Sequence, residues 1–127
     1  MEQTNLPMIL EKIKRESFFS GFMFDNLLTR EEWANVLGIH RQSVRRWEKE
    51  IINKVAPIQS NYYTVSRMRS PYLDAYQRFV LALIYVVKGG LDRLNKPHAF
   101  AVDFLKLNFT SLKREQFEQW RKNNVQV

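Results

Sequence analysis

Cysteine is absent from the chain, which removes disulfide scaffolds, thiolate metal sites and cysteine nucleophiles together, and fits a reducing compartment. Histidine is scarce: His40 and His98 stand alone, with no HExxH pair and no metal-ligand spacing. Glycine and proline number four each, and the two adjacent glycines, Gly89 and Gly90, read as a helix stop rather than a phosphate-cradling loop. A GxSxG elbow is missing, as are internal repeats and any Gly/Ser-rich linker between separate domains. This inventory implies no reaction, no metal and no cofactor, so the expectation is a binding protein rather than an enzyme. The longest apolar run, Phe79 to Val87, is nine residues, against roughly 20 needed to cross a bilayer. The opening MEQTNLPMILEKIKRE lacks the basic, apolar and small-residue order of a secretory leader. A cytoplasmic location without a membrane partner is expected.

Acidic residues are also in short supply, 13 against 20 lysines and arginines in 127 residues, for a formal charge of +7. An excess of that size favours a polyanionic partner without locating its site. The excess is uneven: residues 1–28 carry three basic and four acidic side chains, whereas residues 29–70 and 71–127 each carry a net +4. The N-terminal segment is therefore not a basic arm.

What is present is helical periodicity. Residues 1–28 predict a helix from about Pro7 to Leu28, breakable at Gly21, with Phe18, Phe19, Phe22, Met23 and Phe24 as core. Thr29 and Glu32 have the spacing of a reciprocal capping box and start a helix from Arg30 to Leu37, which Gly38 ends. A second helix from about Arg41 to Ile51 follows, with Val44, Trp47 and Ile51 on one stripe and Arg41, Gln42, Arg45, Arg46 and Lys49 opposite. Between Asn53 and Arg69 the period disappears and Pro57 argues against a helix interior. Two short strands, Val55 to Ile58 and Tyr62 to Val65, are expected there as a hairpin. Ser70 and Pro71 predict the start of a long apolar helix to Lys88, Pro97 starts another to about Asn108, and the last starts near Thr110 or Ser111. In that last helix Leu112, Phe117 and Trp120 face inward, with Lys113, Arg114, Arg121 and Lys122 outside.

The stretch REEWANVLGIHRQSVRRWEK, Arg30 to Lys49, meets the steric needs of a helix-turn-helix. Ala34 is small where the second helix crosses the first, Gly38 sits in the turn, and Trp33, Leu37, Ile39, Val44 and Trp47 occupy the apolar positions around them. The outward face of the second helix concentrates donors suited to phosphates and to base edges in the major groove.

QSVRRWEKE, followed by a stretch with tyrosines and then a new helix, resembles the DNA-binding domain of the MerR family of winged-helix regulators, of bacterial or phage type, over roughly Leu28 to Val87. The resemblance aligns Val44, Arg45, Arg46, Trp47 and Glu48 with the family's recognition-helix core and puts Tyr63 and Arg67 in the place of its wing contacts. It implies a winged helix-turn-helix that reads DNA. A C-terminal heptad helix, sensor cysteines and a ligand-binding domain have no counterpart here, so an effector-responsive activator is not implied.

The expected fold is thus one mainly α domain over residues 1–127, a helix-turn-helix with a small β-hairpin wing in 29–69 packed between an N-terminal helix in 1–28 and C-terminal helices in 70–127. The expected function is sequence-specific binding of double-stranded DNA, as in transcription regulation. Arg41, Gln42, Ser43, Arg45 and Arg46 face the major groove, with Gln42 and one arginine on base edges. Thr29, Arg30, His40, Lys49, Tyr63, Arg67 and Arg69 lie toward phosphates. The sequence leaves an alternative open. Core packing accounts for most of Phe100, Phe104, Phe109, Phe117 and Trp120 in the C-terminal half, since the helix from Tyr72 to Val87 needs a cover, and a homodimer contact or a protein partner fits the remainder. An interaction adaptor or a replication or recombination accessory factor on the same helical fold therefore stands beside the DNA-reading regulator.

Overall fold

The computed structural model describes residues 6–22, 26–63, 71–90 and 96–124. Seven α-helices and one two-stranded sheet lie among them: α1 (Leu6–Arg15), β1 (Leu28–Thr29), α2 (Arg30–Leu37), α3 (Arg41–Glu50), α4 (Ala56–Tyr62), β2 (Tyr72–Leu73), α5 (Ala75–Val87), α6 (His98–Asn108) and α7 (Arg114–Asn124). The mainly helical class with a small antiparallel sheet is as the sequence predicts. No helix among the described residues is long and apolar enough to cross a membrane.

α5 is the axis of the domain. Every residue in it except Val86 is buried, and α1, α2, α3, α4 and α6 all pack on it. Burial of so apolar a helix stabilises at about 25 cal/mol per Å² removed from water, which is why a chain with little glycine or proline wraps around it. Its start is not at Pro71. Asp74 is the N-cap, its Oδ1 accepting the Gln77 amide at 2.9 Å while Gln77 Oε1 accepts the Asp74 amide at 2.9 Å. Tyr72 and Leu73, expected in the first turn, instead pair antiparallel with Thr29 and Leu28. Ser70 lies outside the described residues. The helix ends where expected, at Gly89 and Gly90, both at positive φ.

Two polar side chains on α5 are fully buried and both tie neighbouring backbone to it. Gln77 Nε2 donates to the Tyr62 carbonyl at 3.0 Å, and the Arg78 guanidinium donates to the carbonyls of Asn26 and, at 3.1 Å, Leu73. Arg78 thereby holds the two backbone segments that enter the small sheet.

The first helix stops at Arg15, earlier than the Leu28 predicted, and a 3₁₀ turn follows at Phe19–Phe22. The cause is geometric. At 100° per residue an unbroken helix would point Phe18 away from Ile9 and Ile13, yet all three are buried. Turning the chain at Glu16 lets Phe18 stack edge-on against Trp33 at 6.2 Å and Tyr85 at 5.7 Å. Met23 and Phe24 lie outside the described residues.

The hairpin expected at Val55–Ile58 and Tyr62–Val65 is not formed by its described residues, because Ala56–Tyr62 is helical. Pro57 falls in the first turn of α4, where an amide has no intrahelical partner, so the proline is tolerated rather than disruptive. Ile58 and Tyr62, four apart, form the buried face. Residues 64–65 of the second expected strand are outside the described set, and the sheet that does form lies between Leu28–Thr29 and Tyr72–Leu73.

In the C-terminal half Phe104 and Phe117 are buried, while Phe109 and Trp120 pack partly against the core. Phe79 on α5 meets Phe117 at 4.7 Å and Trp120 at 5.2 Å. Only Phe100 of the five C-terminal aromatics named above is substantially exposed. A 3₁₀ turn at Phe109–Ser111 delays the last helix to Arg114. Arg114 and Arg121 are not simply outside. Arg114 stacks over Tyr76 at 4.7 Å, pairs with Asp74 at 3.0 Å and donates to the Asn61 and Tyr62 carbonyls, and Arg121 lies over Phe117 at 5.3 Å.

Candidate nucleic-acid interface

The α2–turn–α3 unit is built as its sequence predicts. Thr29 Oγ1 accepts the Glu32 amide at 3.1 Å and Glu32 Oε1 accepts the Thr29 amide at 2.8 Å, closing the capping box. Gly38 adopts φ 75° and ψ 31°, and the Ile39 amide donates to the Ala34 carbonyl at 2.9 Å across the turn. A side chain at Gly38 would have to adopt this left-handed conformation, so Gly38→Ala is expected to lower the unfolding free energy by about 1 kcal/mol or more, read as a shifted urea midpoint at constant slope.

His40 caps α3, its Nδ1 accepting the Gln42 amide at 3.1 Å. Val44 and Trp47 are buried, and Ile51 follows in the core just after the helix. The stripe is wider than the apolar residues alone suggest, because Glu48 is also buried, at 6% exposure. Its carboxylate receives the Arg30 guanidinium in a two-point contact, Nε to Oε1 at 2.8 Å and Nη2 to Oε2 at 2.9 Å, and the Tyr62 hydroxyl donates to Oε2 at 2.6 Å. This ion pair and its tyrosine join the first turn of α2, the inner face of α3 and the end of α4, setting the crossing of the helix-turn-helix.

Arg30 was expected among the phosphate contacts and is instead committed to Glu48, its side chain 12% exposed. Burial opposes its charge most strongly, but hydrogen bonding to Glu48 and the nearby carboxylate outweigh that, so its pKa is raised. The Tyr62 hydroxyl is pushed well above the ordinary tyrosine range, chiefly by burial and then by Glu48. Tyr63, half-buried with its ring edge-on to Tyr62 at 4.8 Å, is pushed up to about 12 by the same causes.

Both tyrosines are thus neutral in the fold and easier to ionise when it opens. Their contribution is whole below the unfolded tyrosine value of about 10 and is lost as pH rises through the folded values. The thermal midpoint should therefore hold up to about pH 10 and decline above it, toward and beyond pH 12 for Tyr63. Tyr62→Phe should show a shallower decline in the same scan.

The outer face of α3 carries the remaining predicted residues. Arg41, Gln42, Arg45, Arg46 and Lys49 are exposed and Ser43 is half-buried. At 100° per residue the four cations and Gln42 share an arc of about 140°. Arg41 makes an exposed ion pair with Glu31, Nη1 to Oε2 at 3.3 Å, an interaction worth at most about 1 kcal/mol and readily exchanged for a phosphate. The side chains of Gln42, Arg45, Arg46 and Lys49 make no hydrogen bond or ion pair with the described residues. A concavity at the junction with α2 is lined by Thr29, Arg30, Glu31, Arg41, Gln42, Arg45 and Pro71. Thr29 is half-buried with its hydroxyl engaged in the cap. Arg67 and Arg69, expected on the wing, lie outside the described residues, which resume at Pro71 on the rim of this concavity.

An α-helix with side chains is about 10–12 Å across and the major groove of B-DNA is about 12 Å wide, so a helix held by one face and donor-rich on the other has the size and chemistry to enter it. Sequence reasoning missed Glu48 as the anchor of this helix, although its position one turn after Val44 and next to Trp47 already placed it on the inward stripe. Comparison with protein-family models, with curated proteins and with solved structures finds no match to this chain.

Proposed function

We propose that this chain is a sequence-specific DNA-binding protein of transcription-regulator type, with a MerR-like helix-turn-helix whose α3 reads the major groove. The observation that carries the reading is the outer face of α3, where Gln42, Arg45, Arg46 and Lys49 stand exposed and unengaged on a helix locked from behind by Val44, Trp47 and Glu48. A helix exposed merely for solubility interleaves acids with bases. Here the only acid on the exposed face of α3 is Glu50, at its last residue, and it faces His98 at 2.9 Å.

Gln42 is suited to the paired donor and acceptor of adenine, and Arg45 or Arg46 to the O6 and N7 of guanine, each contact discriminating by about 1–3 kcal/mol. Arg41 and Lys49, near the two ends of α3, with Arg67 and Arg69, serve phosphates. Arg30 and Thr29 support the reader from behind rather than touching DNA. What supports DNA over a protein partner is that most C-terminal aromatics lie in the core or pack against it, which leaves an adaptor surface little apolar area.

The test is selection of bound duplexes from a random pool, followed by mobility-shift titration of the winner and a scrambled duplex at two salt concentrations. A retained preference for the selected sequence, with affinity falling steeply in salt, is expected. Weak binding that disappears equally for both duplexes would sink the DNA-reading function in favour of an adaptor.

A further inference from the structure

A second basic surface lies away from the outer face of α3, and the segment charges conceal it. Residues 1–28 sum to a net negative charge because Glu2, Glu11, Glu16 and Asp25 offset their three bases. Lys14 pairs with Glu11 at 3.6 Å, while Lys12 and Arg15, three apart on one face of α1, are exposed and have no partner among the described residues. Both line a cleft between α1 and the C-terminal end of α5, which Lys96 also lines.

We infer that this cleft, lined by Lys12, Arg15, Glu16, Gly89, Gly90 and Lys96, is a second surface for the sugar–phosphate backbone of duplex DNA, beyond the C-terminal end of α3. The inference rests on the DNA-reading function proposed above and extends its footprint.

Three features support a phosphate backbone as the occupant. First, the cations outnumber the acids, with Glu16 the one acidic side chain on the described wall. Second, Gly89 and Gly90, at φ 112° and 71°, add no side chain to the wall, so the cations around them can reach a bulky polyanion, while the two glycine amides themselves are spent on the Val86 and Tyr85 carbonyls. Third, among the described residues of the wall the apolar side chains are few and offer little anchor for a protein partner: Tyr85 is 3% exposed and Val86 is half-buried at the edge.

Position argues for the same DNA that α3 reads. Lys88 reaches from the end of α5 to the Lys96 carbonyl and fixes that residue beside the cleft. Two residues on, His98 Nδ1 lies 2.9 Å from Glu50 Oε1, on the last residue of α3. Two residues span at most about 7 Å, so the Lys96 wall of the cleft begins within that reach of the contact with α3. Cations on the two surfaces can therefore follow one duplex outward from the read sequence.

The experiment compares the whole chain with a variant carrying Lys12→Ala, Arg15→Ala and Lys96→Ala. All three side chains are exposed and the carbonyl that Lys88 grips is untouched. A second set, Lys12→Gln, Arg15→Gln and Lys96→Gln, serves if the alanine set does not fold. The probes are a duplex that ends at the selected site and one extended on both flanks.

On the extended duplex the wild type should lose about 40-fold more affinity than the variant between 50 and 200 mM salt, the difference of about three phosphate contacts. Sequence preference should be equal in both, and the two proteins should converge on the short duplex. Equal salt dependence of both proteins on the extended duplex, with sequence preference intact, overturns this inference and leaves the DNA-reading function standing. Absence of any sequence-preferring binding by the wild type overturns that function, and this inference with it.

Discussion

Replacing Arg45 and Arg46 by alanine, singly, is expected to weaken binding to the selected duplex by about 5- to 150-fold each, the equivalent of about 1–3 kcal/mol per base-reading contact. Binding to scrambled DNA should fall far less for whichever arginine reads a base. These two are the guanidiniums of the helix-turn-helix with no internal duty: Arg30 is bound to Glu48 and Arg41 to Glu31. Fold stability should be unchanged or slightly raised, because both side chains are exposed and alanine has the higher helix propensity. A fluorescence-anisotropy titration beside a thermal melt separates the two effects. An unchanged affinity ratio between selected and scrambled duplex in both variants would remove α3 as the reading helix. Lys49→Ala supplies the contrast: it should weaken both duplexes alike and reduce the salt slope by about one.

Much of this unit is legible in the sequence because its signals are local. The Thr29–Glu32 capping box, the left-handed Gly38 and the Gly89–Gly90 stop each depend on residues within one turn of one another, and each forms where its spacing places it. The outer face of α3 is legible for the same reason, since helical period alone decides which of its residues face water. What escapes is decided by contacts far apart in the chain. Tyr72 and Leu73 leave the expected helix for a strand only because Thr29 and Leu28 are there to pair with them. Pro57 reads as a breaker until Ile58 and Tyr62 are seen to need one buried face. Arg114 and Arg121 read as solvated charges until Tyr76 and Phe117 lie beneath them.

Arg30 is the instructive case within the candidate site. An arginine at the start of the first helix of a DNA-reading motif carries a ready expectation of phosphate contact, and nothing local contradicts it. The contradiction comes from Glu48, a charged residue on the inward stripe of α3 that requires a buried cation in return. A carboxylate at an apolar stripe position is the signal, and the partner to seek is a basic residue on the helix crossed by that stripe. One positive charge is withdrawn from the exposed basic surface, and the ion pair that holds it helps fix how α3 presents its own four cations.

Loss of that carboxylate is the stability prediction with the largest expected effect. Glu48→Ala should lower the unfolding free energy by about 3–5 kcal/mol, since it leaves the Arg30 charge buried without compensation. The Tyr62 hydroxyl loses its acceptor in the same step. Small domains have about 5–15 kcal/mol in all, so the variant should be partly unfolded at physiological temperature. The cost belongs to the orphaned partner rather than to a strong net attraction, because taking both ions out of water nearly offsets what they gain from each other. A double replacement, Arg30→Met with Glu48→Leu, should accordingly recover most of the loss, with Tyr62→Phe removing the remaining unmet donor. Urea denaturation of the single, double and triple variants measures this directly, and a Glu48→Ala cost below about 1 kcal/mol would mean that the pair behaves as a solvated surface contact. The rescued protein also separates packing from recognition. If α3 needs only a fixed crossing with α2, the apolar replacement should bind the selected duplex with an unchanged salt slope, because Arg30 and Glu48 are largely buried and lie off the proposed contact face.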